Sequence, residues 1–352
     1  MRKISVQDLS PGMLIDKEVI SEEGVVLLER GTRLTHWQIA NLRNWRVPCV
    51  FVDERQPPLA DMPSPYLSTA AFLGEYVRTV DAIRHTFEHI RVFREVPILE
   101  MEELVDQRIT LLAETVGVLD YLYEIRLHSD HTFQHSLNVA IIAAVLGRWR
   151  KYKGAQLKDL VLAGLLHDIG KLFVPQTVLD KPSTLSPREF EVIKRHPHEG
   201  YTLIHNEQRL SEGAKLGILQ HHERCDGSGY PGKLAGDQIH PFAQIIAIAD
   251  IYNAMTSDRT YRRRLTPLAA LEAIADQMHA KLETGVCLTF LDNMREHFTG
   301  NNVILSTGQR AKIIVLNTRD RYWTKPVVCI PSGMMLDLQK EDISIVELIE
   351  EG

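Results

Sequence analysis

Little in this chain of 352 residues can cross-link it, anchor it or draw it to a polyanion. Its four cysteines, Cys49, Cys225, Cys287 and Cys329, lie far apart and form no C-x-x-C. That excludes a disulfide scaffold and a zinc ribbon and predicts a reducing, cytoplasmic setting. No apolar run approaches the ~18 residues of a membrane span, and the opening residues lack the apolar core of a signal peptide. Forty Lys and Arg against forty-six Asp and Glu leave a net charge of −6. A chain with no basic excess does not read as a binder of DNA or RNA polymers, so a nucleotide would have to be held by a local site. What is present is 44% apolar and 24% charged residues, enough for a proper core and too apolar for a disordered chain. Histidine is in excess: there are fifteen, nine of them between His128 and His222.

The length predicts one large domain with smaller modules. Residues 1–56 read as a small β-rich module: Met13–Ile20 and Val25–Leu28 flank the polar turn Ser21–Gly24, and a short helix over His36–Trp45 precedes the β-branched run Val47–Val52. Residues 57–65 fall in a stretch with four prolines in ten positions from Gln56 to Pro65, a linker. Residues 66–119 form a helical connector. Leu73, Tyr76, Val80, Ile83, Phe87 and Ile90 repeat at helical spacing, and after Pro97 so do Val105, Ile109, Leu112, Val116 and Leu119. Two readings stand for this seam, a hairpin covering the following domain or a homodimer interface. Residues 120–298 are helical almost throughout. Residues 299–352 return to short strands, at Val303–Ser306, Ala311–Leu316, Val327–Ile330 and Met334–Leu338. The fold class expected is mainly α, a helical bundle flanked by β-rich ends.

The chemistry centres on His167-Asp168, which closes the apolar run Val161–Leu166 just before Gly170. An imidazole and a carboxylate at the end of a buried helix are each desolvated at a cost of several kcal/mol unless something compensates both. A divalent cation would. His135 lies on an inward-facing helix with Leu137, Val139 and Ile141. His196 follows a marked helix start, with Ser186 as cap, Pro187 at the first position and Glu189 closing a capping box. His221 and His222 end the stretch Leu216–Leu219, and Asp250 interrupts the apolar run Phe242–Ala249. Seven such groups exceed one tetrahedral ion but suit two metals in a helical bundle sharing a carboxylate. Without thiolates the set favours Fe, Mn, Co, Ni or Zn. Beyond it lie an exposed Gly-rich turn in which Tyr230 offers a flat ring for a base or sugar, and the run Ser257–Arg264, where Arg259 and Arg262 could clamp a phosphodiester.

The joint pattern, His167-Asp168-Ile169-Gly170-Lys171 with His221-His222-Glu223 and Asp226-Gly227-Ser228-Gly229-Tyr230-Pro231, resembles the HD-GYP family of HD metal-dependent phosphohydrolases over residues 120–298. The resemblance implies a helical domain with two divalent ions, usually iron or manganese, hydrolysing cyclic di-GMP, mainly to linear pGpG, through a metal-bridging hydroxide. By position, Asp168 would bridge the metals; His135, His167 and Asp250 would hold one, and His196, His221 and His222 the other. Lys171 would touch the phosphate or the hydroxide, and Tyr230, Arg259 and Arg262 would contact the dinucleotide. Two positions depart from the family pattern. His131 stands where trinuclear members carry glutamate, which predicts two metals rather than three, and Cys225 replaces a common aromatic residue. Two rival readings are a cyclic di-GMP sensor with little turnover and a hydrolase of another cyclic dinucleotide.

Overall fold

The computed structural model describes residues 2–9, 13–20, 26–28, 30–32, 34, 39, 42, 47–53, 67–115, 117–125, 131–179, 181, 183–258, 264–278, 280–316 and 325–349. The Pro-rich segment 57–65, the turn Ser21–Gly24, most of His36–Trp45, and Arg259 and Arg262 lie outside them. The chain is mainly helical with short strands near both ends, and it divides into two units: residues 1–75 with 114–125, and residues 76–113 with 126–352.

In the first unit β1 (Arg2–Ser5) pairs antiparallel with β4 (Cys49–Val52), and β2 (Val19–Ile20) pairs with β3 (Val26–Leu28). Alternation in Cys49–Val52 turns Val50 and Val52 inward, toward Val6, Leu9, Ile15, Val19, Leu28, Leu34, Ile39 and Leu42. The first turn of α1 (Thr69–Phe93) belongs here. Phe72, rather than the expected Leu73, is its buried residue, stacking on Tyr121 of α4 (Val118–Glu124) at 4.8 Å; Leu73 is 42% exposed. Both positions lie within a turn of Tyr76, and the larger ring takes the inward one.

The second unit contains the rest of α1, whose seam Tyr76, Val80, Ile83, Phe87 and Ile90 is buried. Thr86 on that helix donates to Glu100 of α2 (Ile98–Leu104) at 2.9 Å, and Phe87 meets Phe133 edge-on. The seam is therefore covered by the chain's own helices, and the large apolar side chains left exposed among the described residues of 66–119 are Leu73, Val92, Phe93 and Leu99. The second connector helix is not continuous as expected. A π-helical turn over Val105–Ile109 separates α2 from α3 (Thr110–Glu114), and Gly117, at φ 76°, ends the run before α4.

The interior of this unit is α5 (His131–Trp149), α11 (Pro241–Thr256) and the second half of α6 (Gly154–Leu166), where Leu160–Leu166 are buried on every side. Gly164 permits the α5–α6 approach, since a Cβ there would lie 3.2 Å from the Cα of Ala140. Around them pack α7 (Gln176–Leu179), α8 (Pro187–Ile193), α9 (His196–Ile204), α10 (Glu212–Gln220), α12 (Pro267–Gln277) and α13 (Thr284–Phe298). After α13 comes an antiparallel sheet ordered β8-β7-β6-β5-β9, from Asn302–Leu305 (β5), Arg310–Val315 (β6), Val327–Cys329 (β7), Met335–Asp337 (β8) and Ile345–Ile349 (β9).

Candidate metal centre

Five of the groups fall at helix ends or in the breaks between helices, and two, His135 and Asp250, project from within helices. Helix α6 stops at Leu166, so His167 and Asp168 fall on the turn before the 3-10 segment Ile169–Phe173. Gly170 in that turn is set by close approach: a Cβ would collide with the backbone carbonyl of His196 and lie 2.7 Å from the nitrogen of Gly200. The capping box predicted for α8 is present, with Ser186 and Glu189 bonding reciprocally and Pro187 at the first position. The helix ends at Ile193, and α9 restarts at His196 with Pro197 in its first turn, which fixes His196 at the corner. His221 and His222 follow the last residue of α10. His135 projects from α5 and Asp250 from α11.

These elements bring all seven expected ligand positions together as two groups: Asp168, His196, His221 and His222, and His135, His167 and Asp250. Within each group the ligand atoms lie within 4.8 Å of one another. Asp168 faces both. Its Oδ2 lies 3.5 Å from His135 Nε2 and 3.3 Å from His167 Nε2, and its Oδ1 lies 3.1 Å from His196 Nε2 and 3.8 Å from His221 Nε2. Asp250 Oδ1 is 3.2 Å from His135 Nε2. Lys171, partly exposed, places Nζ 2.6 Å from Asp168 Oδ2.

The ring orientations disclose what the site is built to hold. Nδ1 of His167, His196 and His221 lies 2.8, 2.7 and 2.7 Å from the carbonyls of Gly164, Ile193 and Ile218, each three residues back. A carbonyl only accepts, so each Nδ1 carries the proton and each Nε2 turns a lone pair toward the centre. The Nε2 atoms of His196 and His221 are 3.2 Å apart. Among the described buried side-chain atoms, His167 Nε2 and Asp168 Oδ1 have no hydrogen-bond partner. Converging lone pairs and orphaned buried acceptors repel one another unless a cation or proton lies among them. The donor set, imidazole and carboxylate, is that of a divalent metal site.

The electrostatics agree. Burial lowers the proton affinity of His135, and it holds His221 and His222 well below the usual imidazole range, helped for both by neighbouring imidazoles. Desolvation opposes ionisation of Asp168, yet His167 and Lys171 hold its carboxyl well below the usual range. Asp250 is likewise lowered, burial being outweighed by His135 and its neighbours. His167 is desolvated too, but the adjoining Asp168 raises its proton affinity. Its Nε2 thus attracts positive charge.

Tyr230 stacks on His222, with ring centroids 4.7 Å apart at 29°, and burial pushes its hydroxyl pKa up. Its loop is pinned from beneath by Glu223, 3% exposed, whose Oε1 and Oε2 accept from the backbone of Gly232 at 2.5 Å and Leu234 at 3.0 Å. Lys194 Nζ lies 5.8 Å from the Tyr230 ring centroid. His131 is exposed at the start of α5 and in neither ligand group, and Cys225 is half-buried, its pKa raised first by desolvation. The sequence reading missed Glu223 as a loop anchor and Asn253, whose amide lies 2.7 Å from His135 Nδ1. The available signal for Asn253 was an amide one helical turn after Asp250 on an otherwise apolar helix.

The HD domain family model matches residues 123–283, the segment that carries all of these groups. The cyclic di-GMP phosphodiesterase PA4108 of Pseudomonas aeruginosa is 32% identical over 199 residues, 56% of this chain and 48% of its own. The response regulator RpfG of Xanthomonas campestris, also named a cyclic di-GMP phosphodiesterase, is 44% identical over 117 residues, 33% of this chain and 31% of its own. Residues 123–283 form an HD domain, and these relatives support its place in the HD-GYP family. Some HD-GYP relatives differ in substrate: the 3'3'-cGAMP-specific phosphodiesterase 1 of Vibrio cholerae is 34% identical over 211 residues, 56% of this chain and 47% of its own. The chain spans about half the length, or less, of these curated relatives. Among solved structures, Bd1817, an HDG"Y"P protein from Bdellovibrio bacteriovorus, superposes with a TM-score of 0.54 over 83% of this chain and 99% of its own; at 15% identity it shows the HD-GYP fold. HD phosphohydrolases bind divalent metals, and the His/Asp groups described above fit that chemistry.

Proposed function

We propose that this chain is a metal-dependent phosphodiesterase that hydrolyses cyclic di-GMP, mainly to linear pGpG, in the cytoplasm. The observation that carries the reading is Asp168, whose two oxygens face two separate sets of imidazoles. We assign two divalent ions, iron or manganese, with His135, His167 and Asp250 holding one, His196, His221 and His222 the other, and Asp168 shared. When bound, such a pair polarises a phosphodiester and lowers the pKa of water. The protein does the rest. Lys171, beside Asp168, offers an ammonium to oppose charge building on the phosphoryl oxygens. Tyr230, propped on His222, gives a base a flat ring to rest on, a contact worth about 1–3 kcal/mol. Arg259 and Arg262 follow α11 in sequence and would clamp the phosphodiester bidentately.

A second reading, hydrolysis of 3'3'-cGAMP, is favoured by the Vibrio cholerae relatives of that name, similar over the same share of this chain. The deciding experiment mixes purified, metal-loaded protein with each dinucleotide and resolves products by chromatography. Opening of cyclic di-GMP with a higher kcat/KM than 3'3'-cGAMP is the expected result; the reverse preference supports the second reading, and bound but intact nucleotide makes the chain a sensor. Asp168→Ala should abolish turnover and empty at least one metal position by elemental analysis. Full occupancy in that variant would refute the bridging role.

A further inference from the structure

His135 differs from the three imidazoles whose Nδ1 is held by a backbone carbonyl. Its Nδ1 meets a side-chain amide, and an amide can present either a donor or an acceptor. That amide ends a row of buried polar groups. Tyr76 Oη, on α1, donates to Asn138 Oδ1 on α5 at 2.8 Å. Asn138 Nδ2 donates to Asn253 Oδ1 on α11 at 3.0 Å, and Asn253 Nδ2 lies 2.7 Å from His135 Nδ1. Ser257 Oγ also donates to Asn253 Oδ1, at 3.1 Å. Tyr76, Asn138 and Asn253 are 0%, 7% and 3% exposed, so the row is closed to bulk water along its length.

In this polarity Asn253 donates to Nδ1, and the ring proton is on Nε2, toward Asp250 Oδ1 at 3.2 Å. A cation at Nε2 needs the other tautomer, with Nδ1 donating. Asn253 must then offer its oxygen to His135, which turns its nitrogen toward Asn138 and Ser257. Asn138 must turn in step to present its oxygen, and the Tyr76 hydroxyl passes from donor to acceptor. Each partner keeps a complementary group, so the row has two self-consistent polarities, whereas a single reversed amide would place donor against donor. The geometry points to Tyr76, Asn138 and Asn253 as positioning residues that set the tautomer of His135 and reverse together when its Nε2 takes a cation. The inference rests on the metal reading of the site and adds to it a control lying three side chains away, on the connector helix.

The test uses the full chain with 15N-labelled histidine, the His135 ring being assigned by its loss in His135→Gln. Long-range 1H–15N spectra of the metal-free wild type should show the proton on Nε2. Asn253→Asp, whose carboxylate only accepts, should move it to Nδ1 with no metal added. Zn2+, a diamagnetic probe, is then titrated by calorimetry. Asn253→Leu should bind it on the order of 10-fold more weakly and Asn253→Asp at least as tightly as wild type; Asn138→Asp, which accepts from both Tyr76 and Asn253, should force the same polarity one residue further back and also move the His135 proton to Nδ1. If Asn253→Leu does not fold, the near-isosteric Asn253→Asp and Asn138→Asp decide. An unchanged tautomer in Asn253→Asp or in Asn138→Asp overturns the relay while leaving the metal site intact. Failure of the wild type to take up Zn2+ overturns the metal reading and, with it, the reversal.

Discussion

At the scale of single residues, the site separates groups that face the centre from groups that hold them there. Glu223 is of the second kind. Its buried carboxylate satisfies two backbone donors of the loop carrying Tyr230, and Gly229 in that loop packs so closely that a Cβ would collide with the backbone nitrogen of Arg224. Glu223→Ala strips both acceptors, leaving donors that cost about 1–3 kcal/mol where they stay buried, and frees Tyr230 from its stack on His222. The expected outcome is a KM for cyclic di-GMP raised on the order of 10-fold with metal content unchanged. Glu223→Gln, which keeps one acceptor, should recover part of that loss. A fall in metal content with unaltered KM would show that Glu223 serves the metal groups instead.

At the scale of elements, Gly170 is the hinge of the construction. It lets the backbone of α9 lie against the turn after α6, and so sets His196 opposite Asp168. Gly170→Ala places a methyl against backbone atoms, which cannot swing aside as a side chain can. Overpacking of this kind costs about 1–3 kcal/mol, and here the relief is to push α9 outward. The variant should melt lower than wild type and lose metal from the group containing His196; calorimetry and elemental analysis check both. The start of α8 was legible in the sequence because a capping box is local, Ser186, Pro187 and Glu189 being within four residues. The ligand positions were legible because His167, Asp168, His221, His222 and Asp250 put polar groups where apolar runs end or are interrupted, His135 lies on an inward-facing apolar helix, and His196 sits at a corner marked by Pro197. The row from Tyr76 to His135 was not, since its contacts span 62 and 115 residues and no local pattern marks them. Strand β9 was missed for a different reason: Glu347 and the neighbouring Glu341 and Asp342 are poor strand formers, and pairing with β5 overrides that preference.

At the scale of the whole molecule, the buried charge links stability to pH and metal. Burial holds His135, His221 and His222 below their unfolded proton affinity, so between the unfolded imidazole pKa and their folded values the unfolded chain binds more protons. Stability of the metal-free protein should therefore fall as pH drops below about 6.5. His167, shifted upward, opposes this, but it is one group against three. Below about pH 4 the depressed Asp168 and Asp250 add a second loss, because stability from a lowered carboxylate is present above its unfolded pKa and vanishes as it is protonated. A melting temperature that rises from pH 7 to pH 5 without metal would contradict this balance.

The same charges bear on how many metals the site takes and what it releases. Each further dication in a closed site raises the local positive charge and calls for another anionic ligand. The two ligand groups contain two carboxylates, Asp168 and Asp250, enough to face two dications. The position from which a third carboxylate would come is His131, a residue exposed at the start of α5 and in neither group. Two metals per chain are therefore expected, by elemental analysis and by anomalous scattering. With two, ring opening should proceed, and linear pGpG should leave before a second cut, because its new terminal phosphate adds negative charge that no third cation is there to hold. A time course resolved by chromatography should show pGpG accumulating ahead of GMP. Three metals per chain, or GMP as the main early product, would mean that His131 or another group completes a third position.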